Sequence, residues 1–219
     1  MKSYKKNWIL SALLLMAFSV WTAAVCLVDV RPIGPQGSAV GFAAVNRFVH
    51  NLIGVHLTLY TITDWLSLVP FGVCACFGLL GLFQWCQRKS IGKVDRSILI
   101  LGAFYSVVAS VYLLFEVITI NYRPVLLNGV MEGSYPSSTT MLVLCVMPTA
   151  VMECNARISH KPLKRSVGAG SILFAAFMVI GRILSGVHWF SDIVGGALLS
   201  AALVTGYCAA VSADREHRM

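Results

Sequence analysis

Acidic side chains are scarce in this chain: Asp and Glu number nine among 219 residues, and all charged residues together make up 12%. A soluble domain usually carries about twice that charged fraction, so a water-exposed globular surface is excluded. The few carboxylates are dispersed, which leaves no cluster suited to a hard divalent metal. The seven cysteines show no CxxC or other ligand spacing. Cys74, Cys76 and Cys145 lie inside apolar runs, and Cys86 and Cys154 near the basic ends of runs, so they read as small apolar residues. Neither a disulfide framework nor a zinc site is expected. Internal repeats, low-complexity tracts and nucleotide-type glycine loops are also missing from the sequence.

What the chain has in abundance is apolar length. It is 58% hydrophobic, and the apolar residues gather into runs at roughly 8–28, 65–85, 97–120, 136–152, 167–184 and 188–211. About 20 such residues in a helix cross the roughly 30 Å hydrocarbon core of a bilayer. The pattern predicts an all-α, six-transmembrane helix bundle forming one integral membrane domain over residues 1–219. Lys2, Lys5 and Lys6 before the first run resemble a signal peptide, but the run exceeds a usual signal core and reads as a retained span. Residues 29–37, with Pro32, Gly34, Pro35 and Gly37, are turn-rich. Ser38 is then expected to cap a short interfacial helix between spans 1 and 2, with Phe42, Val45, Val49 and Leu52 on one face and Asn46 and His50 on another. Asp64 suits the N-cap of the second span and Trp65 a headgroup-level anchor. Residues 157–165 are expected as a basic loop and 214–219 as a charged tail.

The formal net charge of +8 would suggest nucleic acid in a soluble protein; here its distribution gives another reading. Six spans have two sets of ends. One set holds Lys2, Lys5, Lys6, Arg88, Lys89, Lys93, Arg96, Arg157, Lys161, Lys164, Arg165, Arg215 and Arg218, and the other only Arg31, Arg47, Arg123 and Arg182. The positive-inside rule then places both termini in the cytoplasm of a multi-pass protein of the plasma (inner) membrane. No nucleic-acid partner is expected.

That topology delivers Arg123, Ser137, Ser138, Thr139, Arg182, His188 and Asp192 to one membrane face, the outer one, from three separate loops. Ionisable groups at membrane depth are costly and suggest a functional site. Two arginine forks can grip phosphate oxygens, and Pro124 stiffens the turn behind Arg123. Pro136-Ser137-Ser138-Thr139 opens the fourth run with hydroxyls and free backbone N–H groups, a suitable anion site, although ordinary helix capping accounts for it equally. Asp192 follows His188 by four residues, one helical turn on the same face. Its carboxylate can accept the Nδ1 proton and leave Nε2 free as a nucleophile for phosphorus, giving a phosphohistidine without a metal or cofactor. The plainer alternative is a His and an Asp that merely satisfy a helix start.

Arg123-Pro124, then Pro136-Ser137-Ser138-Thr139, then Arg182 with five residues to His188 and three more to Asp192, resemble the three motifs of the type 2 phosphatidic acid phosphatase (PAP2) family. The likeness covers a motif-bearing core of roughly residues 60–212. It implies an outward-facing membrane lipid phosphatase, with His188 as nucleophile, Asp192 as its orienting partner, and Arg123, Arg182 and Ser137 as phosphate ligands. The chain departs from the family pattern at three places. Glu116 stands where the first motif has lysine, Gly181 where a serine precedes the third-motif arginine, and Thr139 where the second motif has the histidine that protonates the leaving oxygen. A threonine hydroxyl does not serve as a general acid near neutral pH. An alkoxide leaving group needs that proton, whereas a phosphate leaving group, with a second pKa of about 6, departs without it. The expected substrate is therefore a lipid diphosphate such as a polyprenyl (for example undecaprenyl) diphosphate, ahead of a lipid monophosphate. Glu116, Glu132, His50 and His56 lie on the same side as candidate acids, each otherwise an interfacial polar residue. The alternatives are a relative that binds lipid phosphate without turnover, a phosphotransferase that passes the group to an acceptor lipid, and, more remotely, a transporter. Gly195-Gly196-Ala197 and Gly168-Ala169-Gly170 would let helices approach closely, within one bundle or between subunits of a homo-oligomer.

Overall fold

The computed structural model describes residues 3–218. Its eight α-helices are α1 (Ser3–Leu27), α2 (Ala43–Ile53), α3 (Leu57–Leu66), α4 (Leu68–Arg88), α5 (Arg96–Val117), α6 (Ser138–Arg157), α7 (Lys161–Leu184) and α8 (Phe190–Glu216). Among the described residues, six helical segments are long and apolar enough to cross a membrane, with α3 and α4 together forming the one at Leu57–Arg88. In lipid every backbone N–H and C=O must be paired within the segment, which is why these runs are helical throughout. The short α2 falls between the first two spans, where the sequence leads one to expect a short helix.

Helices α6 and α8 are the most buried, and the others surround them with much of their apolar surface turned outward. Helix α8 packs on α1, α5, α6 and α7, and the core between them gathers Phe18, Leu101, Phe104, Met141, Leu199 and Tyr207. On α2, Asn46 is buried, donating to Gly41 O at 2.8 Å and Ser191 Oγ at 2.9 Å, while Phe48 and Leu52 are exposed. The polar stripe of α2 therefore grips the bundle and its apolar stripe faces outward, as suits an element lying in the membrane interface.

Several boundaries differ from the sequence expectation. The second span starts at Leu57 rather than near Trp65, so Asp64 lies inside helix α3 and not at its N-cap. Asp29, not Ser38, serves α2, its carboxylate accepting from Ala44 N at 2.7 Å. Helix α7 takes in most of the expected basic loop by starting at Lys161, where the His160 ring caps Leu163 N. The expected charged tail continues helix α8 to Glu216. At α2 and α7 a side-chain acceptor, Asp29 or His160, marks the helix start that apolar periodicity alone does not locate.

At the end opposite the basic loops, residues 28–56, 118–137 and 185–189 converge. His56 N donates to Ser185 O at 2.9 Å, and Gly186 sits at φ +67° against Gly54. A Cβ at Gly186 would lie 1.9 Å from Gly54 O. Both the left-handed backbone and the close approach require glycine there. Gly186→Ala should lower thermal stability in detergent by about 1–3 kcal/mol. Gly168→Ala, whose added Cβ meets nothing within 4 Å in mid-helix, should be neutral or stabilising. Equal unfolding midpoints for the two variants would refute this.

Candidate active site

The turn after α7 and the first turn of α8 build the site around His188, which is 6% exposed. Its Nδ1 lies 3.2 Å from the Ser134 carbonyl oxygen and its Nε2 3.1 Å from an Arg123 Nη. A carbonyl only accepts and a guanidinium only donates, so the two contacts together fix the tautomer. Nδ1 carries the proton and Nε2 presents its lone pair to Arg123. Burial, reinforced by the positive charges of Arg123 and Arg182, holds the imidazole well below its usual pKa of 6.5, against a smaller opposing effect from the Ser134 carbonyl. The ring is neutral and ready to donate a lone pair.

The expected hydrogen bond between His188 and Asp192 is not made: Oδ2 lies 3.9 Å from Nδ1, beyond hydrogen-bonding reach. Asp192 is fully buried and instead accepts from Trp189 N at 2.9 Å and Asn121 Nδ2 at 3.1 Å. Its carboxylate closes the first turn of α8 and ties it to residue 121 of the loop before α6. The same loop carries Ser134, whose N–H bonds Asn121 O at 2.9 Å. Asp192 is thus linked to His188 only through Asn121 and the Ser134 carbonyl that accepts from Nδ1.

Arg123 and Arg182 are held differently. Arg123 Nε lies 3.0 Å from a Glu132 carboxylate oxygen. Arg182 is 1% exposed, and one Nη donates to Asp64 Oδ1 at 2.9 Å and to Thr139 Oγ1 at 2.7 Å. Its Nε and other Nη are buried with no hydrogen-bond partner. Unsatisfied buried guanidinium N–H groups are costly, and an anion is the kind of acceptor that would satisfy them. Of the PSST hydroxyls, Ser137 Oγ accepts from Thr140 N and Thr140 Oγ1 as the N-cap of α6, Thr139 accepts from Arg182, and Ser138 lines a cavity of about 240 Å³. His188, Arg123, Glu116 and Glu132 line the same cavity. The His50 ring lies tilted against Trp189 at 5.5 Å, and His56 is exposed, its Nε2 3.0 Å from Ile53 O; neither lines that cavity.

The family model of the PAP2 superfamily matches residues 71–216, two thirds of the chain. The chain belongs to the PAP2 superfamily. No curated protein matches it. Among solved structures, this PAP2 chain is similar to the crystal structure of the first transmembrane PAP2-type phosphatidylglycerolphosphate phosphatase from Bacillus subtilis. Identity is 18%, covering 94% of this chain and 96% of that one, with a TM-score of 0.49. Among the described residues of this PAP2 protein, no group of three or more His, Cys, Asp or Glu side chains could hold a metal ion.

The sequence assigned His188, Arg123, Ser138, Thr139, Arg182 and Glu132 to one membrane face; the structure lines one cavity with His188, Arg123, Ser138 and Glu132 and pairs Thr139 with Arg182. Sequence reasoning missed Ser134, Asn121 and Tyr60. A backbone carbonyl leaves no residue-type signature, so Ser134 was not visible. Tyr60 and Asp64 are four apart and share a helix face, but that signal is legible only once α3 is extended back to Leu57.

The neutral-imidazole reading has a direct check. In ¹⁵N-histidine NMR spectra in detergent, His188 should keep its Nδ1–H neutral signature on acidification through pH 6.5. Because the folded value lies below the unfolded one, stability should be lost as pH falls below 6.5, where the unfolded chain takes up the proton first. A ring that titrates at or above 6.5 would contradict the assignment.

Proposed function

We propose that the protein is a membrane lipid phosphatase that works through a phosphohistidine at His188. The observation that carries this is the paired fixing of the imidazole: Nδ1–H on the Ser134 carbonyl and the Nε2 lone pair on Arg123, at a cavity wall. An entering phosphate displaces Nε2 from the Arg123 N–H, since an anion is the stronger acceptor for a guanidinium. Nε2 then attacks phosphorus, the P–N bond forms and the P–O bond to the leaving group breaks. Arg123 and the unpartnered N–H groups of Arg182 stabilise the spread equatorial charge. Water hydrolyses the phosphoimidazole, and its proton leaves with the released phosphate. The residues present supply this chemistry themselves; Asp192, Asn121 and Ser134 hold the ring, and Ser137 caps the helix whose next residue, Ser138, faces the cavity.

Thr139 faces Arg182 as an acceptor, so its hydroxyl proton is not directed at a leaving group by that contact. General acid catalysis typically contributes about 10²–10⁴-fold, and a diphosphate substrate, which expels phosphate, dispenses with much of it. The reading therefore favours a polyprenyl diphosphate over a monoester such as phosphatidate. Both termini are assigned to the cytoplasm and the site to the outer face by the loop charges.

Purified protein in detergent should release phosphate from a polyprenyl diphosphate faster than from phosphatidate, and His188→Ala should lower the rate by at least about 10³-fold. Faster turnover of the monoester would refute the preference, and full activity in the alanine variant would refute the nucleophile. A second reading, a relative that binds lipid phosphate without turnover, rests on Thr139. It predicts no release by the parent and large release by Thr139→His.

A further inference from the structure

Helix α3 precedes the region matched by the family model, which begins at residue 71, yet it reaches the site. Tyr60 is half-buried, and its ring centroid lies 4.9 Å from the Arg182 guanidinium carbon and 5.7 Å from that of Arg123. One turn along the same face, Asp64 binds Arg182 at 2.9 Å. The close approach of α3 to α7 depends on Gly181, where a Cβ would come 2.7 Å from Thr63 Cγ2.

Two guanidinium groups drawn to the same aromatic ring repel each other, and the repulsion strengthens away from bulk water. Glu132 and Asp64 each neutralise one of them, but neither carboxylate touches both. The Tyr60 ring does reach both. Its π-face attracts cations without carrying a charge that would compete with phosphate for the N–H groups or repel a phosphate. We propose that Tyr60 is a positioning residue: its ring braces Arg123 and Arg182 together so that one phosphate meets both. This rests on the phosphate-binding reading of the site. Asp64 sets the depth of Arg182 from the same helix, and Tyr60 couples that arginine to the one contacting His188.

The test is calorimetric binding of inorganic phosphate to the purified full chain in detergent, which needs no turnover. Tyr60→Phe keeps the ring face and should bind within about twofold of wild type. Tyr60→Leu keeps apolar bulk without a π-face and should bind about tenfold more weakly at an unchanged thermal midpoint. Tyr60→Met serves as the second face-deleting variant if leucine is not accommodated, with the same expectation. Wild-type affinity in a folded Leu or Met variant overturns the inference, as does a Phe variant as weak as Leu, which would assign the effect to the hydroxyl. A folded wild type that binds no phosphate overturns the phosphate-site reading itself, and the inference with it.

Discussion

The site is built around a buried arginine whose positive charge is only partly answered by the protein. Removing a guanidinium from water is expensive, and a single partner left unmatched in such a place ordinarily costs several kcal/mol. Arg182 is nevertheless 1% exposed, with one nitrogen on Asp64 and Thr139 and two others unpaired. Three elements converge to keep it there: α3 supplies Asp64 and Tyr60, the start of α6 supplies Thr139, and the end of α7 supplies the arginine. Burial is the main reason the proton affinity of His188 is low, and the charges of Arg123 and then Arg182 lower it further, so the partly answered cation also helps to keep the imidazole neutral.

The bundle gives this arrangement its rigidity. Helix α8 packs against both α6 and α1, and the N-termini of α6 and α8 meet at the site, where Ser137 N donates to Asp192 O at 3.0 Å. Each of those termini is closed by its own side chain, Ser137 in α6 and Asp192 in α8. The polar residues of the motifs therefore divide into two groups: some secure helix ends, and others face the cavity. The two duties fall on adjacent residues, as with Ser137 and Ser138.

Much of this was legible in the sequence. Apolar run lengths gave the six crossings, because lipid forces the backbone of each run into a helix. The distribution of Lys and Arg sorted the connections into two ends, and the ends chosen for Arg123, Arg182 and His188 do coincide: the Arg123–His188 contact requires it. The helix from Leu57 to Leu66 was not legible, since Thr61, Thr63 and Asp64 interrupt its apolar pattern. Thr61 and Thr63 satisfy their hydroxyls on carbonyls three or four residues back, and Asp64 by pairing with Arg182. The four-residue spacing of His188 and Asp192 suggested direct contact, but spacing on a helix requires both residues to be helical. His188 lies before α8 begins, and the ring turns to a carbonyl from another loop. Contacts made through the main chain are invisible to residue-type patterns in general.

That last contact changes where the protein is vulnerable. An imidazole steered by a carboxylate can be misaimed by a single codon change at the acid, whereas the acceptor here is a peptide oxygen. The Ser134 side chain enters only through the loop it helps to hold, its Oγ donating to Asn121 O at 3.2 Å beside the Tyr122–Gly133 bridge. Sensitivity shifts to whatever governs that loop's path, so drift in the loop's conformation, rather than replacement of a partner, is how this imidazole would lose its aim.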